Sequence, residues 1–303
     1  MEVTDLIKKA DRYRTKWSPF GWRDEANREK AIDLYKKAYQ QAILAKEFKL
    51  SATVALRVAE LSELADSQHE AREYYVKGAQ SYEKGGETDE AIKVYRMVVA
   101  HCERDGNLST SAKYWAELGD LLQQNPQTTA TALESYGKAI NAYEAENQWM
   151  SAIKIRERVL GVHFEANDYV KAREVLDEII RICRDREVFK HSLNDHLYGR
   201  SLIDFYLCAT TDDEATLAGL LETALDTSPS FENTREYGLL KKCVDAFLAH
   251  DKEAYQGAFA TFDRVTRVLP KYVRLYHEIL RAFDVVETDP VAGNGGVNLD
   301  DLT

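Results

Sequence analysis

The chain has 303 residues, of which 40 are basic and 51 acidic, and its formal net charge of −11 argues against nucleic acid as the main ligand. Hydrophobic residues make up 45% and charged residues 30%, as in folded globular proteins, and no run of about eighteen apolar residues predicts a membrane span. Residues 201–303 hold 9 basic and 18 acidic residues whereas the first 200 are nearly balanced, so we expect two different partners.

The predicted elements begin with an amphipathic helix of mixed charge, "MEVTDLIKKADRYRTK", which lacks the apolar core of a secretory signal. The next stretch, "KWSPFGWR" at residues 16–23, places Trp17, Phe20 and Trp22 around one proline and one glycine. Proline and glycine in this company predict a loop. Three large aromatic side chains are unusual in a loop, because loops normally lie in water.

From residue 31 onward an alanine recurs about every 20 residues, and in nearly every unit a large apolar or aromatic residue follows it three or four positions later. The aligned alanines are Ala31, Ala52, Ala71, Ala91, Ala112, Ala132, Ala152 and Ala172. This spacing places the side chains on one helix face. A helix of this length cannot bury its apolar stripe alone, so we expect neighbours joined by short turns to pack as antiparallel pairs, with the small alanine letting the backbones approach.

Two such helices give a period of about 40 residues, the size of tetratricopeptide-like and HEAT-like helix pairs. The predicted fold class is therefore all-α, with residues 1–184 forming a tetratricopeptide-like right-handed superhelix of antiparallel helix pairs, about 20 residues per helix. After residue 184 the register is lost although helical patterns continue, and we expect residues 185–286 to form a C-terminal helical bundle that caps the array. Residues 287–303 are rich in glycine and acids and predict a flexible acidic tail.

The sequence offers no motif for catalysis. His191 and His196 are five residues apart, off the spacing that puts two ligands on one helix face, so we predict no metal site. Neither a phosphate-binding loop nor a nucleophile-elbow motif occurs in the sequence, and we predict no catalytic residue and no cofactor. The four cysteines stand far apart in apolar helical contexts, which is typical of reduced core thiols.

The helices with alanine and aromatic residues, the aromatic loop near residue 20 and the segment "PSFENTREYGLLKK" together resemble the soluble NSF attachment protein (SNAP) family. The segments "REKAIDLYKKAYQQAILAKEF", "GNLSTSAKYWAELGDLL", "YVKAREVLDEI" and "FENTREYGLLKK" are similar to family segments in order and spacing. The resemblance covers nearly the whole chain. It is closer to the alpha/beta type than to the gamma type, because of "TREYGLLKK" and the short "NLDDLT" end.

The resemblance implies a non-catalytic adaptor in vesicle-mediated transport and membrane fusion. Several copies of such an adaptor wrap a SNARE four-helix bundle of syntaxin-like chains. They recruit and stimulate the hexameric NSF-type AAA ATPase, which then disassembles the bundle. The implied protein is a monomer when free, is cytoplasmic and peripherally associated with membranes, and has no nucleic-acid partner.

The resemblance also implies binding residues, carried over position by position. The family's SNARE-facing basic positions on the concave side match Lys46, Lys84, Lys113, Lys154, Arg158 and Lys190. Asn107 stands where the family has a basic residue, which weakens this patch. The family's hydrophobic loop residues, which dip into the membrane, match Trp17, Phe20 and Trp22.

For the ATPase, the resemblance implies an acidic surface at the C-terminal end. Asp245 matches an acidic position, whereas Leu248 and Ala249 stand where the family has acids, with Asp251 and Glu253 just beyond. In the tail, Leu302 matches a penultimate leucine that the family links to stimulation of the ATPase. Asp300 and Asp301 precede it and can reach a basic partner surface.

Other interpretations are open. The loop aromatics could fold back onto the first helix pair, and the lysines could form an ordinary solvated face. The chain could be another tetratricopeptide-like interaction scaffold without a link to this ATPase. An enzyme on an all-helical frame would need a pocket with convergent titratable groups, which the sequence does not indicate.

Overall fold

The computed structural model describes residues 2–15, 24–211 and 213–286, and every regular element in these ranges is helical. The first seven helices are α1 (Val3–Arg14), α2 (Asp24–Leu44), α3 (Phe48–Leu64), α4 (Gln68–Lys84), α5 (Thr88–Arg104), α6 (Leu108–Gln123) and α7 (Thr129–Ala145). The others are α8 (Trp149–Glu165), α9 (Tyr169–Asp185), α10 (Lys190–Thr211), α11 (Glu214–Thr227), α12 (Arg235–Leu248), α13 (Lys252–Val265) and α14 (Pro270–Val286). Short 3₁₀ segments occupy Pro126–Thr128, Glu187–Phe189 and Pro229–Asn233.

The chain divides into two compact units, Met1–Val159 (unit 1) and Leu160–Thr303 (unit 2), with the division inside α8. In unit 1 the helices from α1 to α7 pack mainly against their neighbours in sequence within this run. This is the packing of tetratricopeptide-like helix pairs. The all-α, helix-pair prediction is therefore confirmed for the described residues, whereas the region boundaries predicted at residues 184 and 286 stay predictions.

The periodic alanines lie where the prediction places them. All eight have 0% of their surface exposed: Ala31, Ala52, Ala71, Ala91, Ala112, Ala132, Ala152 and Ala172. The aromatic residues that follow them fill the adjoining space, and Tyr35 and Tyr136 are fully buried. Between α6 and α7 the fit is closer still, because a Cβ atom on Gly119 would lie 2.6 Å from the ring of Tyr136. Small side chains therefore set how near the helices approach.

A ladder of hydrogen bonds follows the same 20-residue period. The hydroxyl of Tyr75 on α4 donates to Glu63 on α3 at 2.8 Å, and the hydroxyl of Tyr95 on α5 faces Glu83 on α4 at 3.5 Å. One unit further on, the indole Nε1 of Trp115 on α6 donates to Glu103 on α5 at 2.9 Å. Each acid lies near the end of its helix and twelve residues before its aromatic partner, so each bond ties one helix to the next. The rings of Tyr75 and Tyr95 can thus be buried without leaving their hydroxyls unpaired.

The turns between helices repeat as well. The second residue after the end of six helices adopts a left-handed backbone conformation: Lys46 (φ 58°), Asp66 (58°), Gly86 (75°), Gly106 (68°), Asn147 (56°) and Asn167 (56°). The next backbone N–H then returns to a carbonyl five residues earlier, as from Glu87 to Tyr82 at 2.9 Å and from Asn107 to Cys102 at 2.9 Å. This is the Schellman arrangement that satisfies the free carbonyls of a helix end. It reverses the chain within two or three residues.

Unit 2 has a different core, made of large aromatic side chains. The rings of Phe247 and Phe283 lie 4.7 Å apart and nearly perpendicular. The buried hydroxyls of Tyr198 and Tyr276 lie 3.2 Å apart, and the hydroxyl of Tyr255 donates to the carbonyl of Tyr276 at 3.0 Å. Rings of this size fill irregular gaps between helices, so these helices do not need the alanine register. All four cysteines are buried and none forms a disulfide: Cys102 lies in unit 1, and Cys183, Cys208 and Cys243 lie in unit 2.

The left-handed turns generate a prediction at two glycines that have open space around them. A Cβ atom on Gly86 or on Gly137 would meet nothing within 4 Å, but only Gly86 has a positive φ, of 75°. We expect Gly86→Ala to lower the free energy of unfolding by about 1 kcal/mol, because alanine is strained in this conformation. We expect Gly137→Ala, in the interior of α7, to raise it by about 0.5–1 kcal/mol.

Urea unfolding followed by circular dichroism measures both changes. Because neither new methyl group contacts a neighbour, the two changes in the free energy of unfolding reflect the backbone conformation alone. Equal effects of the two substitutions would contradict the assignment of a left-handed turn at Gly86.

Candidate functional site

The basic residues predicted in unit 1 occupy two kinds of position. Lys46 is the left-handed residue of the turn after α2, and Lys84 is the last residue of α4, so both lie at helix ends. Lys113 lies in α6, and Lys154 and Arg158 lie one turn apart in α8. All five side chains are exposed, as a contact surface requires.

Two side-chain contacts connect α6 with α8 and with the residue that precedes α8. The guanidinium Nη1 of Arg158 lies 2.6 Å from Oδ2 of Asp120 on α6. Just before the start of α8, Nε2 of Gln148 donates to Oγ of Ser109 on α6 at 2.7 Å. We call the surface made by Lys113, Glu117, Asp120, Lys154 and Arg158 the α6–α8 face. Three of the six predicted basic residues therefore meet on one surface.

This face also contains two acids that the sequence reasoning missed. Burial raises the pKa of the Glu117 carboxyl and nearby Asp120 adds to the effect, whereas Arg158 and Lys113 oppose it. Asp120 pairs with Arg158 and also accepts a hydrogen bond from the hydroxyl of Tyr136 at 2.7 Å. Glu117 and Asp120 follow Lys113 by four and seven residues, the spacing of one helix face, so the signal was present in the sequence. Two acids thus offset two of the three cations.

Lys190 lies in unit 2, as the first residue of α10. Its ammonium group forms an ion pair with Glu187, three residues earlier in the adjoining 3₁₀ segment. Both side chains are well exposed, so the pair contributes little to stability and remains open to exchange with a partner.

Two of the three acids predicted around α12 and α13 border an apolar groove between these two helices. The groove has a volume of about 780 Å³, and Asp245 and Asp251 line it, whereas Glu253 is exposed but does not line it. Small side chains leave the space open: Gly238, Ala246, Ala249, Ala254, Gly257 and Ala258. Arg235 and Lys242 line the groove too, which the sequence reasoning did not anticipate. The surface therefore combines both signs of charge with an apolar floor.

Asp251 has a structural task in addition. Its Oδ1 accepts a hydrogen bond from the backbone N–H of Ala254 at 2.8 Å and caps the start of α13. A helix cap of this kind contributes about 1 kcal/mol, and the negative charge favours the helix N-terminus. Asp251 thus has two roles, because it stabilises the start of α13 and contributes a negative charge to the groove.

The other predicted site residues lie outside the described residues: Trp17, Phe20, Trp22, Asp300, Asp301 and Leu302. Their roles stay predictions. Within the described ranges no group of three or more His, Cys, Asp or Glu side chains is arranged to hold a metal ion. No helix in this part of the chain combines the length and apolar character needed to cross a membrane.

Comparison with known proteins assigns the family. The family model described as "Soluble NSF attachment protein, SNAP" matches residues 1–282. The chain is 25% identical to the alpha-soluble NSF attachment protein of Vitis vinifera, covering 87% of this chain and 88% of the relative. It is 24% identical to the alpha-soluble NSF attachment protein of Saccharomyces cerevisiae, covering 95% and 99%. It is 26% identical to the probable vesicular-fusion protein sec17 homolog of Schizosaccharomyces pombe, covering 79% and 81%.

These matches leave the preference for the alpha/beta type over the gamma type as a prediction. Since the family model extends over both units and nearly all of the chain, this protein belongs to the soluble NSF attachment protein family.

Proposed function

We propose that this protein is a non-catalytic adaptor that binds SNARE complexes and recruits and stimulates the NSF-type AAA ATPase for SNARE disassembly in vesicle trafficking and membrane fusion. The family match over residues 1–282 carries the proposal. The names of the relatives point the same way, one to NSF attachment and another to vesicular fusion. An unrelated helical-repeat scaffold is not favoured, because the match is not confined to the repeat.

In this proposal the α6–α8 face contacts acidic side chains of the SNARE four-helix bundle, with Lys46, Lys84 and Lys190 as further contacts. Exposed cations on packed helices support this role, since the backbone holds them at fixed spacing. Several copies bind one bundle, and each is a monomer when free. Contacts between exposed charges discriminate partners and speed association more than they add affinity.

The ATPase contacts the groove between α12 and α13 through Asp245 and Asp251, together with Glu253 and the tail residues Asp300, Asp301 and Leu302. The exposure of Asp245 and Asp251 beside an apolar groove supports the assignment. The acids attract a basic partner surface, and the groove can accept an apolar side chain of that surface. Apolar burial then supplies affinity that is less sensitive to salt.

The membrane contact is assigned to Trp17, Phe20 and Trp22, flanked by Lys16 and Arg23. Tryptophan favours the bilayer interface, because its ring is apolar and its N–H can stay hydrated. Basic neighbours can meet anionic headgroups. The protein is accordingly cytoplasmic and associates peripherally with membranes.

The first functional prediction concerns the α6–α8 face. We expect Lys113→Glu with Lys154→Glu to weaken binding to a soluble SNARE bundle by about tenfold or more at low salt, since each exposed charge contact contributes up to about 1 kcal/mol. The matched control is Lys49→Glu with Lys93→Glu, which makes the same charge change on α3 and α5. Co-sedimentation measures binding, and circular dichroism verifies that helicity is kept. Equal binding by the two double variants would contradict the assignment.

The second functional prediction concerns the loop. Replacing Trp17, Phe20 and Trp22 by serine should leave binding to a soluble SNARE bundle unchanged. It should slow disassembly of SNAREs anchored in liposomes, because a membrane contact raises the local concentration of the adaptor. Disassembly assays with soluble and with anchored SNAREs measure the difference. A lowered melting temperature of the triple variant would instead indicate that the aromatics belong to the core.

The third functional prediction concerns the tail. We expect Leu302→Ala to keep most assembly of the ternary complex, because one leucine contributes on the order of 1–2 kcal/mol. We expect the Leu302→Ala variant to lose stimulation of ATP hydrolysis, because a leucine that binds only one state of the ATPase shifts the population toward that state. Gradient recovery and phosphate release are measured together, with Leu299→Ala as the control. Full stimulation by Leu302→Ala would refute the role of the tail.

A further inference from the structure

We infer that Asp120 is a specificity-determining residue of the α6–α8 face: it holds Arg158 in an internal ion pair that an acidic partner must displace. The inference rests on the proposed SNARE-binding function and names the residue that limits it. Asp120 lies within the binding surface and competes with the partner's carboxylate for Arg158. A partner gains from Arg158 only if its own carboxylate replaces that of Asp120.

The geometry gives the two carboxylate oxygens of Asp120 different partners. Oδ2 lies 2.6 Å from Nη1 of Arg158, and Oδ1 accepts the hydroxyl of Tyr136 at 2.7 Å. The ring of Tyr136 is fully buried against Gly119, so its hydroxyl is fixed in position. The hydroxyl also lies 3.0 Å from Oε1 of Gln123, and its shorter contact with Asp120 helps to hold that carboxylate while leaving the second oxygen for Arg158.

The ion pair is accessible from solvent. The side chain of Arg158 is 42% exposed and that of Asp120 is 40% exposed. Two residues earlier, Arg156 lies 2.9 Å from Glu144 with only 7% of its side chain exposed. Arg156 is thus held inside the helix packing, whereas Arg158 lies in a pair of the exposed kind, whose net stabilisation is small. Arg158 is the guanidinium of α8 that a partner can recruit.

Glu117 adds a second internal acid. It is partly buried one turn before Asp120, and its charge is felt by both Arg158 and Lys113. A partner carboxylate approaching Arg158 therefore also approaches two like charges, which disfavours a uniformly acidic surface. The favoured partner is a helical surface of mixed charge. Its carboxylate pairs with Arg158 while a neighbouring donor or cation receives the released Asp120.

The test compares binding of a soluble SNARE four-helix bundle to the wild-type protein and to Asp120→Asn. Asparagine keeps an acceptor for Tyr136 but places no charge against Arg158. We expect the variant to bind about two- to fivefold more tightly at low ionic strength, the range of an exposed ion pair. The gain should vanish near 1 M salt, where charges are screened beyond about 3 Å. A merely structural change would not depend on salt in this way.

Three controls make the result specific. Asp120→Glu keeps the charge and should bind like the wild type. Glu90→Gln removes an equal charge from α5, where Glu90 pairs with Lys93 and not with Arg158, and should change binding less than Asp120→Asn does. In an Arg158→Gln background, Asp120→Asn should bring no gain, because the pair it releases is already gone.

Equal binding by wild type and Asp120→Asn, or a gain that persists without Arg158, would overturn the inference while leaving SNARE binding intact. Absence of binding by every variant would overturn the proposed function, and this inference with it. Binding that appears only in Asp120→Asn would support both.

Discussion

Helices in unit 1 can pack only because each segment of about 20 residues offers a side chain no larger than a methyl group where the next helix approaches. The alanines that meet this condition in unit 1 are fully buried from Ala31 to Ala152, and Ala172 in unit 2 is buried likewise. The other regularities depend on it. A constant separation lets an aromatic donor reach an acid twelve residues earlier, and lets a turn of two or three residues span the gap. The exposed positions of successive helices are then held at regular spacing for a partner.

The sequence predicted the parts of the fold that burial controls. The alanine period and the aromatic residues after it result from the burial of apolar surface, and burial directly restricts which residue types occur at these positions. The turns are harder to predict from the sequence, because Lys46 and His250 adopt the same left-handed conformation as Gly86 although they are not glycine. Here the tertiary packing overrides local preference. The core of unit 2 could not be predicted in detail, since aromatic packing follows no fixed period.

The sequence resemblance identified the basic residues of the site but not the acidic residues that lie beside them. Whether a lysine or arginine is free to bind depends on which carboxylate the fold places beside it, and a motif does not contain that information. Arg156 and Arg158 illustrate this, because they are two residues apart and differ in exposure and availability. The groove between α12 and α13 was missed for the same reason: its small residues become a surface only when the two helices pack.

The neighbour-to-neighbour packing of α1–α7 has a mechanical consequence. Each of these helices is held mainly by the one before and the one after it, so tension along the chain would peel helices from an end instead of shearing one central core. Every helix released this way would add about 60 Å of extended chain at roughly 3.3 Å per residue. A protein built in this way can lose one helix at a time under tension, while the helices that remain stay folded.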